Sequence, residues 1–322
     1  MQCPRLTHFV RFNPNGTISR CGHMVNAPQF NNLPEMNNSS WLLGIRAHLE
    51  YGNWPMECVR CQETETVNNT SIRLNSIEFD QRQTVDDYLV VGGVLDNICN
   101  SGCLTCNEML STKIGSLSGK SYPIVDNSNK FWQLPTDKIV HLDINGGEPS
   151  ASKNYKHLLK NLPPNVKSVR INTNCSLIIH EIENLIANGI AVTITVSLDG
   201  IENVHDYVRW PIKWNSFLTN LMYYKSIVGI KLNTWTTVSA LNIHDLLKIK
   251  QFTANNQIEH SYAFLSEPDV LSIKYQNSYT LPFKQLFPHL VAVDRNNQTE
   301  IDQYILQQNN LRGLHEDSNN RA

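Results

Sequence analysis

The sequence of 322 residues lacks an excess of charge of either sign and lacks a long apolar run. Its formal net charge of −2 at pH 7 gives no reason to expect nucleic acid or an anionic membrane as a partner. No apolar run approaches the length that spans a bilayer, and residues 1–16 lack the apolar stretch of a signal peptide. We therefore expect a cytoplasmic protein, in which a reducing environment leaves cysteines available as thiolate ligands.

The composition is that of a globular chain, with 41% apolar and 17% charged residues. Its length fits one large α/β domain and a smaller module. We expect a cysteine-rich module at 1–66, a linker or edge strand at 67–87, the main domain at 88–265, and a C-terminal extension at 266–322 that closes the main domain. The last eight residues have the composition of a disordered end.

Strand-like and helix-like segments alternate along the main domain. The strand-like runs are 88–95, 139–145, 169–173, 191–197, 232–238 and 260–264, with a further piece at 8–12. The helix-like stretches are 154–161, 177–188, 216–228 and 244–254, with others at 41–51, 283–293 and 300–311. This alternation favours parallel βαβ units, and six units predict a partial (β/α)6 barrel of the TIM type. The alternative is an antiparallel sheet with one wet face, which the intervening helices disfavour.

Within the predicted strands, apolar and polar residues alternate with a period of two. In 139–145, Val140, Leu142 and Ile144 are apolar, whereas His141, Asp143 and Asn145 are polar. The two sets face opposite sides of a sheet, so the helices cover the apolar side and the polar side lines a lumen. The lumen residues that we expect to contact a substrate are His141, Asp143, Arg170 and Thr195.

Three cysteines, Cys99, Cys103 and Cys106, follow the first of these strands with the spacing C-x3-C-x2-C. Thiolates are the usual ligands of iron–sulfur clusters, and three thiolates leave one iron of a [4Fe–4S] cluster open to a further ligand. The alternative is a zinc knuckle, which requires four ligands, and no fourth Cys or His lies near this loop in the sequence.

Polar motifs follow the next three strands. They are Asn145-Gly146-Gly147-Glu148 after the second strand, Asn174 after the third, and Ser197, Asp199 and Arg209 at and beyond the end of the fourth. Two glycines permit a close approach of the backbone to a ligand, a carboxylate suits an ammonium group, and an arginine suits a carboxylate. Each motif alone is also typical of a solvated loop, but their shared place at strand ends predicts one binding pocket.

Together these motifs resemble the radical S-adenosylmethionine (SAM) superfamily, over about residues 88–264. In that family the three-cysteine loop holds a [4Fe–4S] cluster that cleaves SAM to a 5′-deoxyadenosyl radical. The resemblance implies that the backbone at 145–148 binds the SAM amino group, that Ser197 and nearby polar groups such as Asn174 and Asp199 contact the cofactor, and that Arg209 pairs with its carboxylate.

Two positions depart from the family's pattern. Thr105 stands where many members carry an aromatic residue near the adenine, so the adenine contacts stay open. Cys175 stands where many relatives have glycine, and we interpret it as a small, semi-buried thiol without a chemical role.

A second group of cysteines, Cys3, Cys21, Cys58 and Cys61, lies in the N-terminal module. Their order resembles the twitch module, a shortened SPASM domain, which binds an auxiliary [4Fe–4S] cluster. In that family the module usually follows the barrel, whereas here it precedes it. Four thiolates would ligate such a cluster fully, and a structural zinc site is the alternative that the spacing leaves open.

The resemblance implies an oxidoreductase-type radical SAM enzyme that removes a hydrogen atom from a peptide, a protein or a small molecule. An auxiliary cluster would relay electrons, and a donor such as flavodoxin or ferredoxin would supply them. One alternative is a radical SAM enzyme that modifies a nucleotide or RNA, although no basic patch is visible in the sequence. Another is a non-catalytic binding module stabilised by zinc.

Overall fold

The fold of this computed structural model is built around one sheet. The structure describes residues 1–119, 121–283 and 295–314. Among these residues the sheet has eight strands in the order β2-β1-β3-β4-β5-β6-β7-β8. The strands are β1 Phe9–Phe12, β2 Ile18–Ser19, β3 Leu89–Gly93, β4 Ile139–Ile144, β5 Ser168–Thr173, β6 Ala191–Ser197, β7 Ile230–Val238 and β8 Glu259–Phe264.

Helices follow most of the strands. The α-helices are α1 Arg5–His8, α2 Leu33–Asn37, α3 Ser40–Glu50, α4 Val59–Asn68, α5 Ile72–Asp80, α6 Thr112–Leu117, α7 Ser128–Trp132, α8 Lys153–Lys160, α9 Glu181–Ala187, α10 Asn203–Val208, α11 Trp214–Ser226, α12 Leu246–Asn255 and α13 Gln298–Leu311. Short 3-10 helices lie at Met56–Cys58, Thr136–Lys138, Ile243–Asp245, Asp269–Leu271 and Leu281–Phe283.

The sheet is parallel from β1 through β3 to β8, and only β2 is antiparallel. The prediction of an α/β fold with parallel βα units is confirmed, and the six predicted strands of the main domain correspond to β3–β8. The sheet does not close, because β2 and β8 form its two edges. This open arrangement agrees with a partial barrel and carries the ends of seven parallel strands on one side.

The two faces of the sheet differ as the alternation predicts. On β6, Val192, Ile194 and Val196 are buried in the main apolar core under the helices. The intervening Thr193 and Ser197 are only half-buried on the opposite, polar face. Because Ile194 is fully buried, its replacement by alanine would cost about 2–5 kcal/mol. The core therefore fixes the strand register, and the register fixes which side chains line the lumen.

Helix α8 shows how a helix is attached to the functional end of the sheet. Its Tyr155, Leu158 and Leu159 are buried, whereas its lysines lie on the outer side. Ser152 caps the helix by accepting the N–H of Tyr155 (3.2 Å) and donates its own hydroxyl to Asp96 beyond β3. The N-terminal end of α8 is therefore fixed to the loop that leads into the three cysteines.

The N-terminal region differs from the prediction in two respects. Strand β1 pairs with β3, so this region extends the main sheet instead of standing beside it. The segment 67–87, expected as a linker or an edge strand, contains helix α5. Ser71 caps α5 by accepting the N–H of Leu74 (3.1 Å), and the buried Arg73 anchors it through ion pairing with Glu65. A capping serine followed by few charges predicts a helix only weakly. Contacts with distant residues therefore decide whether this segment is helical.

The C-terminal extension contains the expected helix at 300–311, which the structure places as α13. Of the other predicted helix, 283–293, all but Phe283 falls outside the described residues, and so does the predicted disordered end. In the described part of the chain, no helix combines the length and apolar character needed to cross a membrane.

Candidate functional site

The three-cysteine loop begins just beyond β3 and is held by backbone contacts. The N–H of Cys99 donates to the hydroxyl of Thr112 (3.2 Å), and that hydroxyl donates back to the Cys99 carbonyl (3.2 Å). The N–H of Glu148, beyond β4, donates to the carbonyl of Ile98 (2.7 Å). The loop is thus fixed to the helix α6 that follows it and to the neighbouring strand end, which gives its thiols defined positions.

Two of the three thiols share a polar neighbour, and the third is tied to them through the backbone. The Ser101 hydroxyl lies 3.3 Å from Cys99 Sγ and 3.5 Å from Cys103 Sγ. Arg209 Nη1 donates to Cys103 Sγ at 3.3 Å, and the N–H of Cys106 donates to the Cys103 carbonyl (3.3 Å). Hydrogen bonds of this kind favour the thiolate form and are a means of adjusting a bound metal centre.

Burial raises the pKa of the Cys99 thiol, and the neighbouring Cys103 raises it further. Burial also raises the pKa of Cys106, to about 12, with added repulsion from Cys103 and Cys99. Without a metal these groups are therefore protonated at neutral pH. A metal centre that binds the thiolates would release protons, so its binding would be favoured by higher pH.

The Gly146-Gly147 turn approaches the same loop closely. Both glycines have positive φ, +82° and +59°. A Cβ on Gly147 would lie 2.7 Å from the carbonyl oxygen of Asp96 and 2.9 Å from that of Ile98. The Tyr155 hydroxyl holds the turn by donating to the carbonyl of Asn145 (2.9 Å). No other residue fits at Gly147 unless the backbone moves. Glycine is therefore required at this position because the turn and the backbone of the loop lie so close together.

Glu148 is buried and does not present a free carboxylate. Its Oε1 accepts the hydroxyl of Ser150 (2.6 Å) and of Thr173 (2.6 Å), and its Oε2 accepts the N–H of Asn174 (2.6 Å). The sequence led us to expect this carboxylate beside an ammonium group. In the structure it joins the ends of β4 and β5.

Asn174 connects the end of β5 to the three-cysteine loop. Its amide nitrogen donates to Asn100 Oδ1 (3.0 Å) and to the Ser101 hydroxyl (3.1 Å). The latter is the hydroxyl that contacts the Cys99 and Cys103 thiols. Asn174 therefore orients the hydrogen bonds of two thiols, a role that its place after the third strand did not reveal.

Asp199 and Arg209 form a buried pair beside Cys103. Arg209 Nε lies 3.5 Å from Asp199 Oδ2, and Asp199 Oδ1 accepts the N–H of Thr237 (2.8 Å). Burial raises the pKa of Asp199, although Arg209 opposes the shift. Burial lowers the pKa of Arg209, but Cys103 and Asp199 outweigh it and leave the pKa raised. Both groups are predicted cofactor contacts, and the structure brings both to the cysteine loop.

Ser197 and Cys175 occupy different surroundings. Ser197 ends β6, half-buried on the polar face, in register with Trp235 of β7. Cys175 has positive φ (+60°) and no exposed surface, and burial raises the pKa of its thiol well above the usual range. A thiol in this state is a poor nucleophile and a poor ligand, in agreement with the absence of a predicted role.

The lumen side of the sheet carries the polar residues expected there. His141 Nδ1 lies 2.6 Å from the Ser168 hydroxyl, and Arg170 Nε lies 4.0 Å from Asp143 Oδ1. The buried hydroxyl of Thr195 has no hydrogen-bond partner within the described residues. An unpaired buried hydroxyl is costly unless a ligand or water satisfies it, so Thr195 is suited to contact a bound molecule.

The four N-terminal cysteines come from distant parts of the sequence and meet in one place. Cys3, Cys21, Cys58 and Cys61 line a single cavity of about 20 Å³. Burial raises the pKa of Cys3 to about 11, with a further contribution from Cys21. Burial raises that of Cys58 to about 12, with contributions from the other three thiols. This mutual influence shows that the thiols lie within electrostatic range of one another.

Two side-chain pairs close this cavity. Arg73 on α5 donates through Nε to Glu65 on α4 (2.9 Å) and through Nη1 to the carbonyl of Gln2 (2.9 Å). Trp41 on α3 donates its indole N–H to Glu57 (3.0 Å). Cys58 directly precedes α4 and Cys61 lies in its first turn, so the C-x2-C spacing brings the two thiols to one face.

Neither cysteine group is arranged around a single ion position, so what the thiols offer is a set of ligands for a centre of several metal atoms. Within the described ranges, no three side chains of His, Cys, Asp or Glu are gathered closely enough to hold one metal ion.

Two residues that sequence reasoning missed contact the three-cysteine loop from α13. Tyr304 donates its hydroxyl to the carbonyl of Leu104 (2.9 Å), and Arg312 donates to the carbonyl of Gly102. Two hundred or more residues separate these partners along the chain. No local pattern signals such contacts, so the extension's relation to the loop was not visible in the sequence.

No protein-family model and no curated protein matches this chain. Solved structures with a partial likeness include native anSMEcpe with bound AdoMet, at 18% identity and a TM-score of 0.43 over 63% of this chain and 58% of that chain. Streptococcus suis SuiB bound to S-adenosylmethionine matches at 13% identity and 0.45, over 89% and 70% of the two chains. SuiB bound to the precursor peptide SuiA matches at 16% and 0.43, over 84% and 60%. Likeness at this level assigns no role to any residue, so the roles of the residues are argued from the chain's own side chains.

Proposed function

We propose that this protein is a radical SAM enzyme whose cluster is held by Cys99, Cys103 and Cys106. The observation that supports it is the convergence of three thiols on one loop with the ends of β4, β5 and β6, through Glu148, Asn174 and the Asp199–Arg209 pair. The donor set fits a [4Fe–4S] cluster with one open iron, because three thiolates are available and leave the fourth iron without a protein ligand.

When bound, the cluster supplies the electron that breaks a C–S bond of SAM and so generates a carbon radical able to remove hydrogen from a substrate. The chain's own groups do the positioning. The Ser101 hydroxyl lies within hydrogen-bond distance of both Cys99 Sγ and Cys103 Sγ and donates its one hydrogen to one thiolate at a time, and Asn174 fixes this hydroxyl. Because Gly146 and Gly147 have no side chains, only their backbone lies next to the loop.

Arg209 is proposed to bind the methionine carboxylate while Asp199 holds the other side of its guanidinium. Its position beside Cys103 Sγ, one of the three thiols of the loop, supports this assignment. Ser197 and Asn145 are proposed to contact the same cofactor, since they end β6 and follow β4 on the polar side of the sheet.

The four N-terminal cysteines are proposed to bind an auxiliary [4Fe–4S] cluster. Their arrangement around one cavity supports a shared metal centre. Four thiolates would leave no iron open for SAM, so this centre would transfer electrons to or from the substrate, with flavodoxin or ferredoxin as the external donor. Peptides, proteins and small molecules remain the proposed substrates, contacted in the lumen by His141, Asp143, Arg170 and Thr195.

The experiment is anaerobic reconstitution with iron and sulfide, followed by iron and zinc analysis and by an assay for 5′-deoxyadenosine. The variants are the triple replacement of Cys99, Cys103 and Cys106 by alanine and, as a matched control, Cys175→Ala. We expect about eight irons in the wild type and about four in the triple variant, with 5′-deoxyadenosine formed by the wild type and by Cys175→Ala. Zinc without iron and no SAM cleavage in the wild type would overturn the proposal in favour of a zinc-binding module.

A further inference from the structure

Helix α13 packs against the loop that carries the three cysteines. Ile301 of α13 and Leu104 of the loop are both fully buried in one small apolar cluster with Val204 and Val208 of α10. Tyr304 donates its hydroxyl to the Leu104 carbonyl at 2.9 Å. The loop is therefore covered on this side by an apolar, largely water-free contact, in which a charge acts over a longer range than it does in solvent.

Arg312 follows α13 and brings a buried guanidinium to this contact. Its Nη1 donates to the Tyr207 carbonyl (3.0 Å) and its Nη2 donates to the Gly102 carbonyl, next to Cys103. The guanidinium also lies over the rings of Tyr207 (5.9 Å) and Trp210 (5.8 Å). These contacts hold the charge in one place, and an arginine retains its charge at every accessible pH.

Arg312 and Arg209 differ in their partners among the described residues. Arg209 has the carboxylate of Asp199 3.5 Å away. Over the described ranges, no carboxylate lies within 4.0 Å of Arg312, whose partners are carbonyls and aromatic rings. Of the two guanidiniums near Cys103, Arg312 is therefore the one that brings a positive charge without a carboxylate partner from the described part of the chain.

We propose that Arg312 is a positioning residue that raises the reduction potential of the centre held by Cys99, Cys103 and Cys106. The physical reason is that reduction adds negative charge to the centre, and a fixed cation in an apolar contact stabilises the added charge. This inference rests on the proposed function, because it requires an iron–sulfur centre at these cysteines.

The test is a redox titration of the reconstituted full-length protein, monitored by the paramagnetic signal that changes when SAM is added, so that only the SAM-binding centre is followed. In Arg312→Gln we expect the ratio of reduced to oxidised centre at a fixed applied potential to fall by about tenfold, equivalent to ~59 mV for one electron. Arg312→Lys keeps the charge and should titrate close to the wild type. Tyr304→Phe removes a neutral hydrogen bond to the same loop and should leave the potential unchanged.

A second variant covers the case in which Arg312→Gln does not fold. Asn309 Oδ1 accepts the Tyr207 hydroxyl (3.2 Å), a contact that an aspartate oxygen also makes. Asn309→Asp therefore keeps the packing but places a counter-charge one turn before Arg312, and it should lower the potential in the same direction. A wild-type potential in folded Arg312→Gln, or in Asn309→Asp when the former is unfolded, would overturn the inference. Failure of the wild type to assemble any cluster at the three cysteines would instead overturn the proposed function.

Discussion

The two groups of cysteines are held by different means. The three-cysteine loop spans only residues 99–106 and is tied to the end of α10 by backbone hydrogen bonds, from the N–H of Gly102 to the Trp210 carbonyl (2.7 Å) and from the N–H of Leu104 to the Val208 carbonyl (3.0 Å). The N-terminal group gathers residues from 3 to 61 and is closed by side-chain pairs, Arg73 with Glu65 and Trp41 with Glu57. Backbone support tolerates little change in geometry, whereas side-chain support allows adjustment. This difference is what we expect if, as proposed, the loop holds the centre that binds SAM and the N-terminal group holds an auxiliary centre that only carries an electron.

The largest effect is expected when a cysteine of each group is replaced, because the two proposed centres should then differ in SAM cleavage. Cys103→Ala should abolish SAM cleavage, because it removes a ligand of the centre that binds SAM. Cys58→Ala should lower the iron content from about eight to about four per chain and leave the first cleavage of SAM intact. Iron analysis and a single-turnover 5′-deoxyadenosine assay would measure both. Loss of single-turnover cleavage in Cys58→Ala would show that the two centres are not independent.

The next largest effect, on the free energy of unfolding, is expected at the buried ion pairs, one beside each cysteine group. Asp199→Ala would leave Arg209 buried without a carboxylate, at a cost of about 3–5 kcal/mol. Glu65→Ala would remove a carboxylate that is more exposed than Asp199 (14% against 3%) and would leave Arg73 bonded to the Gln2 carbonyl, at about 1–3 kcal/mol. Urea denaturation of the metal-free variants gives both free energies of unfolding. A larger cost for Glu65→Ala would reverse the expected order of rigidity of the two sites.

A smaller effect on stability is expected when a glycine beside each cysteine group is replaced by alanine. Gly147→Ala meets two backbone carbonyls and a positive φ, so it should cost about 1–3 kcal/mol and weaken SAM binding. Gly22, next to Cys21, would meet only the end of the Arg11 side chain, at 2.8 Å from Nε. That side chain is able to move, so Gly22→Ala should cost less than about 1 kcal/mol. Thermal unfolding and calorimetric SAM binding would show whether Gly22→Ala is as damaging as Gly147→Ala.

The smallest effect on stability should come from the lumen. Thr195→Val removes a buried hydroxyl that has no protein partner among the described residues and keeps the shape of the side chain, so the free energy of unfolding should change by less than about 1 kcal/mol. Thr173→Val is the matched control, because the Thr173 hydroxyl donates to Glu148 (2.6 Å) and its loss should destabilise the protein. If Thr195→Val destabilised as much as the control, the hydroxyl would have a structural partner after all.

Much of the main domain was predictable from its sequence, because local patterns determine it. The strand 191–197 coincides with β6, and the helix 216–228 lies within two residues of α11 at each end. The period of two in the strands and the alternation of strand-like with helix-like stretches are local properties. The spacing of the three cysteines is equally local, since it is contained in eight residues, and the site proposed there stays a prediction.

The rest depends on contacts between residues that are far apart in the chain. Helix α5 has a weak pattern and is decided by Arg73 reaching Glu65 and Gln2. Glu148 was expected to face a ligand, but its role is set by Thr173 and Asn174 on another strand. The sequence shows which groups are available, and only the fold determines which of them satisfy one another.

The pairing of the loop with α13 also sets an order of events during synthesis. The Gly102 carbonyl receives its hydrogen bond from Arg312, 210 residues later in the chain. The Leu104 carbonyl receives its hydrogen bond from Tyr304. A chain emerging from the ribosome at about 5–20 residues per second therefore exposes the three thiols well before their apolar cover arrives. During that interval the loop is open on this side. If the cluster proposed for this loop is bound there, the topology allows iron and sulfide to be loaded before α13 docks.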